Sequence, residues 1–244
     1  MTLLSTVQRA AILCVQDRPS SAASSDLPNP VLLTELARID AEELAERIDW
    51  PQLLTEATFT TVASVAQASA LPADFARFPF RKDDRGAIYD VARKQGIAGP
   101  ATEEQWRTLT NGYSGWTASF RIFGDVLQMA PAPSAGLSMS LTYITTKLYR
   151  DVDGVAKDTW SADTDTCRIP ENVIALGVRW RWKQSKGFDY AEDMRSAEEA
   201  IARASGVAAG GRRMLVVGRS RLRGDTPYDG TLGGSTYNDV VDQF

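Results

Sequence analysis

The spacing of apolar residues changes twice along the chain. Leu4, Val7, Ala11, Cys14 and Val15 recur every three to four positions, which predicts an amphipathic helix over 3–16. A Pro/Ser/Ala-rich loop, DRPSSAASSDLPNP (17–30), follows. Asn29 and Pro30 then offer an N-cap and a proline at the first helical position. Beyond them Leu33, Leu36, Ala37, Leu44 and Ile48 form one stripe that ends at Pro51. In the centre the period becomes two. TEATFTTV (55–62) alternates around an inward Phe59, TASFRIFGDVLQMAP (117–131) reads as two strands about a Phe123-Gly124-Asp125 turn, and LSMSLTYITTKLY (137–149) is a third alternating run. Between them Thr102 and Gln105 form a capping box for a short helix, TEEQWRTL. The last third returns to helical spacing. One helix opens after Pro170 and stops at Gly187, read as its C′ glycine. The next is capped by Asp189 with Glu192 and carries Tyr190, Met194, Ala197, Ile201 and Ala204 as its buried stripe.

These elements predict an α+β protein, mainly α: a helical bundle with an inserted small antiparallel β module and an extended C-terminal arm. Short strands of this kind need a helical layer over one face. The expected divisions are 1–54 for the N-terminal helices of the bundle, 55–160 for the β module with its short helix, 161–206 for the C-terminal helical hairpin, and 207–244 for the arm. The arm opens with a SGVAAGG link, continues as RRMLVVGRSRLRG, and ends in DTPYDGTLGGSTYNDVVDQF, too thin in apolar residues to fold alone. A tail of that composition orders on a partner.

Composition narrows the function. The 244 residues suffice for one large domain or two small ones, and with 43% hydrophobic and 24% charged residues the chain reads as a soluble globular protein. No apolar run approaches the roughly 18 residues of a membrane span, and the opening MTLLSTVQRAAILCVQDRP lacks the basic region and long apolar core of a secretory signal. The two cysteines, Cys14 and Cys167, read as reduced core residues. Histidine is absent, which removes Ser-His-Asp and Cys-His nucleophilic sites and most zinc sites. A formal net charge of −4 argues against a strong polyanion binder. No P-loop or dinucleotide fingerprint is present, and no cofactor or metal is expected.

Four features could carry chemistry. In VRWRWKQSKG, Trp180 and Trp182 interleave with Arg179, Arg181, Lys183 and Lys186, as a stacking platform for single-stranded nucleic acid would. On a helix the two indoles point about 200° apart, so a scaffold corner or protein interface is favoured, with Trp180 in the core and Trp182 available to a neighbour. Residues 34–49 hold six acids against two arginines, either a solvated face or one that repels phosphates. The segment 212–223 holds five arginines and no acid around the β-like run Met214–Val217, which suits strand addition to a partner's sheet better than phosphate binding. The pairs Asp83-Asp84, Glu103-Glu104 and Asp163/Asp165 are the only hint of a two-carboxylate hydrolase. Such pairs are ordinarily turns or helix starts, and DVDG (151–154) is a turn rather than a calcium loop.

The ordered set IDWPQLLTEATFTTVA (48–63), ALPADFARF (70–78), GPATEEQWRTL (99–109), FRIFGDVLQMAPAPSAG (120–136), LTYITTK (141–147), ADTDT (162–166) and LGVRWRWKQSKGFDYAEDMRSAEEAI (176–201) resembles the head-to-tail adaptor (connector, or neck) proteins of tailed bacteriophages. The resemblance spans most of 1–217; RKDDRGAIYDVARKQGI (81–97) departs from it, and 218–244 lie outside it. It implies a non-enzymatic virion protein of the capsid vertex, made in the host cytoplasm. Such a protein forms a homo-oligomeric, dodecameric ring below the portal protein. The ring extends the channel for double-stranded DNA, without sequence-specific binding, and presents a platform to the next tail or head-completion protein.

Within that frame the acidic Glu35, Glu42, Glu43 and Glu46 are expected to face the channel, where cations would grip phosphates. Arg179, Arg181, Trp182, Lys183 and Lys186 are expected at the subunit interface. Arg212, Arg213, Met214, Leu215, Val216, Val217, Arg219, Arg221 and Arg223 form the expected portal-docking arm. The alternatives are a tail-associated cell-wall hydrolase and, weaker, a nucleic-acid-binding module whose affinity falls steeply with salt.

Overall fold

The computed structural model describes residues 2–79, 85–111 and 118–208, and Met1–Ser205 pack as one compact unit. Helix α1 (Leu3–Leu13) begins at Thr2, whose hydroxyl accepts the Ser5 N–H at 3.2 Å. Helix α2 (Pro28–Arg47) starts two residues before the expected first position, Pro30, and its cap Leu27, in place of Asn29, makes no side-chain capping bond. Its prolines occupy first-turn positions, where an N–H has no helical partner. The chain then turns through Pro51–Leu53 around Trp50, which is fully buried and donates Nε1–H to the Leu44 carbonyl at 2.9 Å.

Eight strands follow: β1 (Leu54–Thr60), β2 (Ala66–Gln67), β3 (Phe75–Arg77), β4 (Arg85–Asp90), β5 (Gln95–Ala98), β6 (Ser119–Phe123), β7 (Val126–Ala130) and β8 (Ser138–Thr145). The helix α3 (Glu103–Thr110) lies between β5 and β6 and carries the Thr102/Gln105 capping box in both directions. All eight strands join one sheet in the order β1-β8-β4-β5-β6-β7-β2, with β3 also on β8. Every observed pairing is antiparallel except β5 with β6. The β6–β7 hairpin turns through Gly124 and Asp125, both at positive φ, as a two-residue hairpin loop requires.

A mainly helical bundle with a small antiparallel module is therefore incorrect. The fold is built around a large mixed sheet, a half-barrel of eight strands, accompanied by five helices. The sheet grew beyond the expectation because four of its strands escape the alternation rule. β2 and β3 are too short to show a period, and β4–β5 runs through the charged, Gly-containing stretch 85–98 that the family resemblance also left out. Curvature supplies what the helical layer was expected to supply. Phe59, Ile88, Ile97, Phe120, Leu127, Met129, Met139, Leu141 and Tyr143, drawn from β1 and β4–β8, pack on one another as a single buried cluster.

After β8 the strands β9 (Tyr149–Arg150), β10 (Ala156–Lys157) and β11 (Thr166–Cys167) make a three-stranded sheet, on which Tyr149 stacks with Trp160 at 4.8 Å. Helices α4 (Glu171–Ser185) and α5 (Ala191–Ala208) complete the described chain. Leu3, Val7 and Ala10 of α1, Leu33, Ala37, Ala41 and Leu44 of α2, and Val173, Ile174 and Val178 of α4 are all buried in the packing of these three helices. Helix α5 buries Asp193, Ala197 and Ala200, while Met194 is 42% exposed, so its inward face is rotated from the expected stripe. Trp180 is half-buried rather than in the core.

The loop between α1 and α2 is fastened by a carboxylate distant in sequence. Asp163 accepts hydrogen bonds from the Ser21 hydroxyl (2.6 Å) and from the N–H groups of Ala22 (2.8 Å) and Ala23 (2.7 Å). Burial pushes its carboxyl up, but the three donors outweigh this and hold it below the usual range. That stabilisation is complete above the ordinary carboxylate pKa and is lost as pH falls through the lower folded value. Asp163→Ala is expected to lower stability by roughly 2 kcal/mol and to speed proteolysis within 17–27. An unchanged urea midpoint would rule out the pin.

Candidate functional site

Each acid and cation of the expected surfaces has a partner that can be named, or lacks one. On α2, Glu35 pairs with Arg38 at 3.4 Å and Glu43 with Arg47 at 3.3 Å, both within the helix. Glu43 also receives the Arg181 Nη2 donor of α4 at 2.5 Å, which together with Arg47 holds its carboxyl below the usual range against the effect of burial. Arg181 reaches deeper to Asp40, its Nε 3.1 Å from Oδ1. Asp40 is only 4% exposed, and burial pushes its carboxyl up to about 6 despite Arg181. The place for that carboxylate is Gly177 of α4: a Cβ there would lie 2.1 Å from Asp40 Oδ2.

The remaining cations of the WRWK stretch face the other way, onto α5. Arg179 Nη2 lies 3.0 Å from Asp193 Oδ1, and Lys183 binds the same carboxylate through Oδ2. Arg47 closes the set by a two-pronged contact with Glu198 of α5, at 3.0 and 2.9 Å. The three helices α2, α4 and α5 are thus linked by charge at one end. Buried Cys14, near Arg179, Lys183 and Asp193, is pushed up to about 11 by burial and stays a thiol. Of the interface residues expected from sequence, Arg179, Arg181 and Lys183 are consequently engaged within the chain. Trp182 packs on Phe188 at 5.9 Å, and Lys186 is exposed at the end of α4. The expected arm, Arg212 to Arg223, lies outside the described residues, as does Asp83-Asp84.

Glu42 and Glu46 differ from their neighbours: among the described residues neither carries an ion pair. They line a cleft of about 420 Å³ together with Ala45, Ile144 and Leu148. A larger groove, about 930 Å³, is lined by Leu71, Phe75, Phe78, Arg121 and Phe123. Arg121 is sandwiched there between the rings of Trp106 (4.3 Å) and Phe123 (4.8 Å) and bonded to Glu103 at 2.7 Å. Sequence reading did not find this groove. The available signal was the i, i+2 spacing of Arg121 and Phe123 on one strand face.

Of the acidic pairs, Asp163, Asp165 and Glu103 serve as structural fasteners. Asp165 accepts from Lys157 (2.7 Å) and from the N–H groups of Ser161 and Ala162 (both 2.9 Å). Glu103 binds Arg121 and Arg107 at the start of α3. Asp151 accepts from Asp153 and Val155 N–H within its own turn. Among the described residues no cluster of three or more metal-ligating side chains occurs, and no helix is long and apolar enough to cross a membrane.

A search among curated proteins finds no match to the chain. A family profile described as SU10 adaptor protein matches residues 1–225, which takes in both sheets, all five helices and the arginine-rich segment. That extent leaves only the last residues outside the match, and the chain belongs to the SU10 adaptor protein family, a family of phage head-to-tail adaptors.

Proposed function

We propose that this adaptor assembles as a dodecameric ring at the virion neck, below the portal, extending the DNA channel and carrying the next tail or head-completion protein. The family match over 1–225 carries this reading. The geometry supports it in two ways. A closed ring needs two non-identical, complementary surfaces on each subunit, and the chain offers an acidic face on α2 and an aromatic, cationic corner after α4. A lumen that DNA slides through must not hold phosphates, which favours turning the α2 face with Glu35, Glu42, Glu43 and Glu46 toward the channel. The arginine-rich segment around Met214–Val217 is assigned to the portal, by strand addition with ion pairs.

The test is sedimentation of the full-length protein, alone and with its cognate portal ring. Comigration at about one copy per portal subunit is the expected result for a closed ring of matching symmetry. Removal of residues 212–244 is expected to abolish comigration and to leave the circular dichroism spectrum of the remaining fold. A full-length protein that ignores the portal defeats the adaptor ring; a truncated one that still binds defeats the arm.

A further inference from the structure

Once the ion pairs within the chain are assigned, two surfaces of opposite character are left unmatched. The first is the cleft of about 420 Å³ between α2 and the strands β3 and β8. Glu42 and Glu46 stand one helical turn apart at its edge, and like charges so placed repel. The Arg77 guanidinium that reaches the cleft does not relieve them, because it is bonded to Asp49 at 2.5 Å and to the Ala45 carbonyl at 3.0 Å. Ala45, Ile144 and Leu148 give the same cleft apolar walls. What fits it is a cation accompanied by apolar surface.

The second surface is the corner between α4 and α5. Gly187, at φ +72°, turns the chain between Lys186 and Phe188, both of which are exposed. Phe188 is 56% exposed, its only ring partner among the described residues being Trp182 at 5.9 Å. Lys186 has no ion pair among the described residues, whereas the preceding cations are all taken up: Arg179 and Lys183 by Asp193, Arg181 by Asp40 and Glu43. An exposed phenylalanine resting on a half-buried tryptophan supplies the aromatic surface in which interface centres are enriched.

We propose that these two surfaces meet between adjacent copies of this chain: the Trp182–Lys186–Phe188 corner of one subunit enters the Glu42/Glu46 cleft of the next. The proposal rests on the ring reading above and names its subunit contact. Charge decides the occupant, since Glu42 and Glu46 carry no ion pair among the described residues and the corner carries an unmatched cation, with aromatic surface to cover the apolar walls. The two patches lie on different helices and are unlike, so the contact is heterologous and propagates around a ring instead of closing as a dimer. On this contact Glu42 and Glu46 belong to the subunit interface, and the channel-facing part of the α2 face is reduced to Glu35 and Glu43.

Charge exchange tests it on the full-length protein, with assembly read by sedimentation and by electron microscopy, alone and on the portal. E42K/E46K and K186E are each expected to weaken subunit association by roughly tenfold or more, because each sets like charges against each other. The combined E42K/E46K/K186E protein is expected to recover association, since both surfaces are inverted together. E42Q/E46Q, which adds no repulsion, should give a smaller loss and guards against misfolding, and every variant should melt as the parent does. Single variants that assemble like the parent overturn the contact. Losses that the combined protein does not recover also overturn it and point to another occupant, such as the 212–223 segment. A parent protein that forms no ring by itself or on the portal removes the ring reading instead, and the contact with it.

Discussion

Between about pH 4 and pH 7 the parent protein is expected to lose roughly 3 kcal/mol of stability relative to an Asp40→Asn variant. The cause is geometric. Asp40 faces inward from α2 onto Gly177 of α4, where it is 4% exposed, and its Oδ2 has no hydrogen-bond partner in the described structure. Arg181 contacts only Oδ1, with Glu43 and Arg47 beyond it exerting opposite effects. Desolvation therefore wins over the single cation, and the carboxyl rises from 3.8 to about 6.

An acid whose folded pKa is raised binds more protons in the folded state than in the unfolded state over the interval between the two values. Stability then falls as pH climbs through that interval and levels off above it. The lowered carboxyls of Glu43, Asp74, Asp163 and Asp165 act in the opposite sense, and at lower pH. Taking the difference between parent and variant cancels them. Asparagine keeps the shape and the space that Gly177 provides, and it removes the proton equilibrium. Urea midpoints for both proteins at intervals across this pH range give the result directly. Parallel curves would mean that Asp40 ionises in the fold as it does in water, and that the α2–α4 seam is wetter than its exposure implies.

This seam also marks where the sequence could be read and where it could not. Local chemistry was legible: the Thr102/Gln105 capping box, the Gly124-Asp125 turn and the Gly187 stop are each determined by residues within a few positions of one another. The long-range partners of charge were not. Arg179, Arg181 and Lys183 alternate with tryptophans in a way that looks outward-facing until Asp40, Glu43 and Asp193 are brought to them from other helices. Asp193 shows the consequence for pattern reading. Because two cations draw it inward, α5 buries Asp193, Ala197 and Ala200, and the apolar Met194 is turned toward solvent. A hydrophobic stripe cannot predict that rotation, since the energy comes from paired charges rather than from buried area.

The sheet was underestimated for a related reason. Strand β8 alternates clearly, and its inward Met139, Leu141 and Tyr143 could be read from sequence. Its neighbours could not, because β4 and β5 meet around Lys94, a positive-φ residue that is not one of the usual turn formers, with a register shift between Arg85 and Ile88. Irregular pairing removes the period on which detection depends.

Phe120→Ala is expected to be the most damaging single truncation in the sheet, at about 3 to 5 kcal/mol. Phe120 of β6 is fully buried, its ring edge-on to Phe78 at 5.1 Å. Its carbonyl accepts the Ala101 N–H at 2.8 Å and crowds Gly99, where a Cβ would lie 2.6 Å away. Gly99 at φ +142° and the β6 backbone thus approach too closely for the chain to relax into the space a lost ring leaves. A cavity would persist inside a curved sheet whose inner face is filled by its own side chains. Phe123, three residues along the same strand, is the control. It is 61% exposed, touches Arg121 by its face, and its truncation should cost no more than about 1 kcal/mol. Guanidinium denaturation of both variants separates the cases. Equal losses would contradict a self-packed sheet, whereas a large loss confined to Phe120 would place the principal core of this adaptor inside its half-barrel.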